Sequence, residues 1–158
     1  MLKLAAALIA AGAVAGATPT AATPTAATPP AATPLSTEEA LVADVATAKF
    51  VDATLPQAAK GSQTALIGVD PATKGPTAYS KTPAGTGLPA HWHTHAEYTV
   101  LVSGKGTLLL DGKPHEAVAG SYFVIPAKMH HQFTCSAGAD CLLLTRRGGP
   151  ADYNWVKP

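Results

Sequence analysis

Residues 85–104, GTGLPAHWHTHAEYTVLVSG, place three histidines and one glutamate at odd positions: His91, His93, His95 and Glu97. Successive side chains of an extended strand point to opposite faces, so these four leave the backbone on nearly the same side. Imidazole and carboxylate are the donors that a borderline divalent metal takes. A straight strand cannot bring them to one ion, because about 3.3 Å per residue sets His91 and Glu97 roughly 20 Å apart, whereas ligand bonds are about 2.0–2.2 Å long. The chain must therefore fold back between them. A reversal at Thr94, His95 and Ala96 ends one strand with His91 and His93 and starts the next with Glu97.

From Gly85, five residues lead to His91, one more to His93, three more to Glu97 and six more to Gly104. This spacing resembles the first motif of the cupin superfamily. Gly120, five residues, Pro126 and then His131 are similar to the second motif, a short hairpin further on. The resemblance covers roughly residues 60–148, with core motifs over 85–104 and 120–135. It implies an all-β fold, the double-stranded β-helix or jelly-roll barrel. It also implies one divalent transition metal (Fe, Mn, Ni, Cu or Zn) on His91, His93, Glu97 and His131, with dioxygenase-type chemistry on a small organic molecule favoured. Cupins also frequently form homodimers through sheet edges. Two positions depart from the family pattern: Lys128 stands where it usually has glycine, and Cys135 where it often has asparagine.

The register leaves an alternative open, with His93, His95 and Glu97 replacing His91, His93 and Glu97. Only the latter set keeps the spacings to both Gly85 and Gly104, which leaves His95 as a loop or pocket residue. His130 competes with His131, but strand alternation turns it to the other face. His115 reads as exposed. Thr99 and Leu101 share parity with Glu97, and Phe133 with His131, so these three are expected to line the cavity. Leu88, Trp92, Tyr79 and Tyr98 are further apolar candidates, and Lys81 and Arg146 could receive an anion.

The rest of the chain fits one small domain behind an export signal. Lys3, the apolar run Leu4–Ala15 and the small residues Ala15–Ala17 follow the order of a signal peptide over 1–17, which predicts a secreted or periplasmic protein. The run is shorter than the about 20 residues of a spanning helix, so no membrane span is expected after cleavage. Residues 18–35 repeat Ala-Ala-Thr-Pro and read as a Thr/Ala/Pro-rich linker. Residues 36–158 form the single domain. Ser36 and Glu39 have the form of a capping box, and Leu41, Val42 and Val45 follow the helical period, predicting a short helix over 37–49.

From Phe50 onward the period changes to two and turn signals recur, as in an all-β sandwich or barrel. Strands are expected at 97–102, 107–110, 115–118, 121–125, 131–135 and 141–145, with Asp111-Gly112 as the strongest hairpin signal. Cys135 and Cys141 are the only cysteines and flank a Gly-containing turn. In an oxidising compartment that placement favours a disulfide, two free thiols being the alternative.

The formal net charge is +1, and the basic residues are scattered, unlike the patch that nucleic acid requires. The serines lack a nucleophile elbow, and Ser103–Gly106 lacks the hydroxyl residue and the following helix of a phosphate-binding loop. Two function classes remain. One is an exported metal-dependent enzyme, of dioxygenase or lyase/isomerase type, with Glu97 as a candidate base. The other is a non-catalytic module that captures a metal or small ligand.

Overall fold

The structure is a computed structural model that describes residues 42–157. The signal segment, the linker and the first part of the expected helix lie outside the described residues. Of that helix, Val42–Lys49 is described, and it holds a single turn at Val45–Thr47. Asp44 stops it there: its carboxylate accepts from Ala46 N at 2.8 Å and its carbonyl from Thr47 N at 3.1 Å, the local side-chain bonding that competes with helix extension. No helix among the described residues is long and apolar enough to cross a membrane.

Eleven strands follow: β1 (Val51–Asp52), β2 (Gln63–Val69), β3 (Pro76–Thr82), β4 (His91–Trp92), β5 (Glu97–Ser103), β6 (Lys105–Leu110), β7 (Lys113–Val118), β8 (Tyr122–Ile125), β9 (His131–Cys135), β10 (Cys141–Arg147) and β11 (Asn154–Trp155). They form two antiparallel sheets, ordered β1-β2-β3-β10-β5-β8 and β11-β4-β9-β6-β7. All six strands expected from the sequence are present, within two residues at each end. β2 and β3 join them as a hairpin closed by Asp70, whose Oδ1 accepts from Ala72 N and Thr73 N at 2.9 and 3.0 Å.

The turns explain the register. Asp111 and Gly112 both have positive φ, +45° and +78°, as the two-residue hairpin between β6 and β7 requires. Gly104, between β5 and β6, has φ +88°, and a Cβ there would come within 2.8 Å of the Asp140 carbonyl oxygen. Only glycine satisfies both conditions. Lys128 adopts φ +65° in the turn Pro126–Met129, so this lysine holds the left-handed conformation for which glycine is suited.

The inner faces of the two sheets meet in a core of Leu101, Ala117, Cys135, Cys141 and Leu143, with Phe123 and Phe133 packed against it. Cys135 and Cys141 are joined by a disulfide across the β9–β10 turn. This end of the barrel is close-packed, and the opposite end holds the histidines.

Candidate metal centre

Strand pairing brings the site together from both sheets. His91 on β4 lies directly opposite His131 on β9, and across the barrel Glu97 on β5 lies opposite Arg147 on β10. The chain reverses through 93–96, as the 20 Å argument requires, so His93 returns towards Glu97. The ligand nitrogens of His91, His93 and His131 lie within 4.8 Å of one another, and all three residues are buried. Glu97 Oε2 sits 3.2 Å from His93 Nε2 and 3.8 Å from His131 Nε2. The four residues singled out by spacing thus converge, with the imidazoles forming the tight group and the carboxylate at its side.

Backbone carbonyls orient each imidazole. His91 Nδ1 donates to Pro89 O at 2.7 Å, His131 Nδ1 to Met129 O at 3.0 Å, and His93 Nδ1 to Asp152 O. That arrangement assigns the proton to Nδ1 and leaves each Nε2 with a lone pair facing the others. His93 Nε2 and His131 Nε2 are buried without a hydrogen-bond partner, and the neighbouring Glu97 oxygen is another acceptor. Buried acceptors pointed at one another are costly without a cation between them. The residues therefore fit a divalent metal.

The ionisation states agree with that fit. Burial pushes His91 down to about 4 against the opposing hydrogen bond of Pro89, and the neighbouring His131 and His93 lower it further. Burial also lowers His131. Both rings are neutral at pH 7, as ligands must be. For Glu97, burial is the largest single influence and would raise the carboxyl, but the Arg147 guanidinium, His93, His131 and Thr99 together outweigh it and hold the group well below the usual range.

Nothing in the sequence pattern singles out Arg147; Lys81 and Arg146 are the candidates it offers for an anion, with a solvated side chain the commoner outcome for either. Arg146 instead points outward to Asp70, at 2.7 Å on the surface. Arg147 Nη1 lies 2.6 Å from Glu97 Oε2, off the line of its N–H bonds, and Nη2 donates to the Tyr153 hydroxyl at 3.1 Å. Parity reaches it only from the strand's true end: β10 continues two residues past Thr145, which places 143, 145 and 147 on the face of Glu97. The tail carried no such signal. Asp152 supplies its carbonyl to His93, and the Tyr153 and Trp155 rings lie 5.4 Å from the His91 ring. The Asp152 carboxylate accepts from Thr94 N at 3.0 Å and Thr94 Oγ1 at 2.6 Å, tying the tail to the reversal.

The site opens into a cavity of about 90 Å³. Leu88, Leu108, Phe123, Ile125, Phe133 and Leu143 form its apolar wall, and the hydroxyls of Ser80, Thr82, Thr145 and Tyr153 border it. Phe133 and Leu88 thus stand where expected. Thr99 and Leu101 do not line it. Parity was right, but Leu101 is fully buried in the core beyond the cavity, and Thr99 is buried with its hydroxyl on Glu97 Oε1 and Thr145 Oγ1, both at 2.8 Å. His95 neither lines the cavity nor joins the cluster; its ring lies against Gly149, where a Cβ would come within 2.5 Å. Tyr79, Trp92, Tyr98 and Lys81 are also off this wall, and His115 and His130 are exposed.

Residues 78–145 match the cupin domain family. No curated protein sequence matches the chain. Among solved structures, the polyketide cyclase RemF from Streptomyces resistomycificus is similar over 76% of this chain and 87% of its own, at 18% identity and TM-score 0.63. A cupin-2 domain protein from Rhodospirillum rubrum is similar over 79% and 85%, at 14% identity and TM-score 0.60. A salicylate 1,2-dioxygenase from Pseudaminobacter salicylatoxidans is similar over 57% of this chain and 27% of its own, at 16% identity and TM-score 0.51. Two facing antiparallel sheets, a buried three-histidine cluster at one end of the barrel and the match over 78–145 lead to one conclusion: the chain has the cupin fold and carries a cupin domain at residues 78–145.

Proposed function

We propose that His91, His93 and His131 hold one divalent transition metal and that the protein is an exported metal-dependent enzyme acting on a small organic molecule, with dioxygenase-type chemistry ahead of lyase or isomerase chemistry. The observation that carries this reading is the set of three buried imidazoles whose Nδ1 protons are fixed by carbonyls and whose ligand atoms converge, with His91 and His131 lining the cavity. When bound there, the metal supplies Lewis-acid or redox chemistry. The chain's own residues do the rest. Phe123, Phe133, Leu108 and Leu143 exclude water and hold an apolar framework, while Ser80, Thr82 and Tyr153 offer hydrogen bonds to its polar groups. The enzyme-named neighbours, a polyketide cyclase and a salicylate dioxygenase, agree with a small organic substrate. Export is supported by the signal-like segment over 1–17 and by the Cys135–Cys141 disulfide, which suits an oxidising compartment.

A second reading, a non-catalytic binding module, is favoured by one observation: Glu97 is engaged on both oxygens, by Thr99 and Arg147, which leaves it poorly placed to act as a base. Elemental analysis of protein purified without chelator or nickel resin, beside a His91→Ala/His131→Ala variant, tests the metal. About one equivalent of metal, lost in the variant, is expected; no metal in wild type, even after loading with Fe²⁺ or Zn²⁺, sinks the enzyme reading and leaves a metal-free module that binds a small ligand. Oxygen uptake or product formation with small aromatic and hydroxylated compounds then separates enzyme from binder.

A further inference from the structure

Resting on the metal reading above, we propose that Arg147 competes with the metal for Glu97, so that the three imidazoles carry the affinity and the carboxylate is withheld as a structural counter-ion. Both oxygens of Glu97 are already engaged. Oε1 accepts from Thr99 Oγ1 at 2.8 Å, and Oε2 faces Arg147 Nη1 at 2.6 Å. The same Oε2 is the atom nearest His93 and His131, so any ion on the cluster and the guanidinium must share it.

Backbone register fixes this competition. Glu97 and Arg147 are direct cross-strand partners, and so are Thr99 and Thr145 one pair further along the same face. Thr145 Oγ1 and Thr99 Oγ1 are 2.8 Å apart, and Tyr153 holds the far side of the guanidinium. The result is a ladder, Thr145–Thr99–Glu97–Arg147–Tyr153, buried at its centre and half-buried at both ends, whose contacts are all made within the chain. His93 Nε2 and His131 Nε2, by contrast, have no hydrogen-bond partner. Moreover, the group whose ligand atoms lie mutually within 4.8 Å comprises the three histidines and not Glu97.

Charge fixes the design of the test. Removing Glu97 alone would leave Arg147 to repel the cation, and removing Arg147 alone would leave an unpaired buried carboxylate that seeks it. Only removal of both leaves the charge at the site unchanged. The informative protein is therefore the Glu97→Gln/Arg147→Met double variant, compared with wild type and with Arg147→Met.

Zn²⁺ affinity is read by competition with a chromophoric chelator, and thermal melting of the metal-free proteins is followed alongside. The inference expects the double variant to bind Zn²⁺ within about 3-fold of wild type, and Arg147→Met to bind about 10-fold more tightly or better, since the freed carboxylate joins the ion. Without metal, the double variant should melt closer to wild type than Arg147→Met does. A double variant that binds about 100-fold more weakly than wild type, as loss of a ligand predicts, overturns the inference. If Arg147→Met does not fold, the double variant decides alone. Wild-type protein that takes up no Zn²⁺ is a different failure, that of the metal reading.

Discussion

Lys128→Gly should stabilise the protein, although it removes a side chain and adds backbone freedom. Lys128 is exposed and occupies the third position of the turn Pro126–Met129 with φ +65°. Holding an L-residue there costs about 1–2 kcal/mol through contact of Cβ with the following carbonyl. Glycine removes that cost but loses about 0.5–1 kcal/mol more entropy on folding. The net gain is about 0.5–1 kcal/mol. The Lys128 N–H bond to His93 O at 2.8 Å, which joins this turn to the histidine cluster, survives the change. A domain of this size should melt about 2–5 °C higher. Lys128→Ala is the control, since it deletes the same side chain but keeps Cβ and the strain. Scanning calorimetry of the three proteins decides the matter: if the glycine variant melts at or below the alanine variant, backbone strain is not what Lys128 contributes, and the reasoning fails.

Three further substitutions probe other parts of the barrel. Leu101→Ala, in the fully buried core, should cost about 3–4 kcal/mol in urea unfolding through lost burial and the cavity left behind; a cost under about 1 kcal/mol would mean that this end is not close-packed. Asp152→Ala should weaken Zn²⁺ binding about 10-fold, because Thr94 loses its anchor and the carbonyl that orients His93 moves with the tail; unchanged affinity would show that the tail is a bystander. Reduction of the Cys135–Cys141 disulfide should lower stability by about 2 kcal/mol, the chain-entropy value for so short a loop, and a Cys135→Ala/Cys141→Ala variant should show no response to reductant.

Much of the site was legible because a strand offers only two faces: parity narrowed the first motif to His91, His93, His95 and Glu97. The resemblance to the two cupin motifs then chose His91, His93 and Glu97 among them and added His131. Parity would have reached Arg147 had β10 been read to its true end, two residues past Thr145. Depth was not legible. Thr99 and Leu101 point inward as parity requires, yet Thr99 is taken up by Glu97 as a hydrogen-bonding rung and Leu101 packs in the core with the disulfide cysteines. The helix expected over 37–49 shows the opposite fault, a local pattern outweighed, in its described part, by the bonding of Asp44 to its own neighbours.

Least legible of all were the atoms that orient the imidazoles. Pro89 O, Met129 O and Asp152 O are backbone carbonyls, and every residue type carries one. Their role follows from where the chain runs rather than from what its side chains are. The His91 and His131 carbonyls come from two residues upstream, so the strands that present those rings also orient them. For His93 the carbonyl comes from 59 residues downstream, in a tail whose only regular structure is the two-residue β11. This makes His93 the ring whose orientation depends on completing the fold, and the C-terminal tail the segment whose docking finishes the histidine cluster.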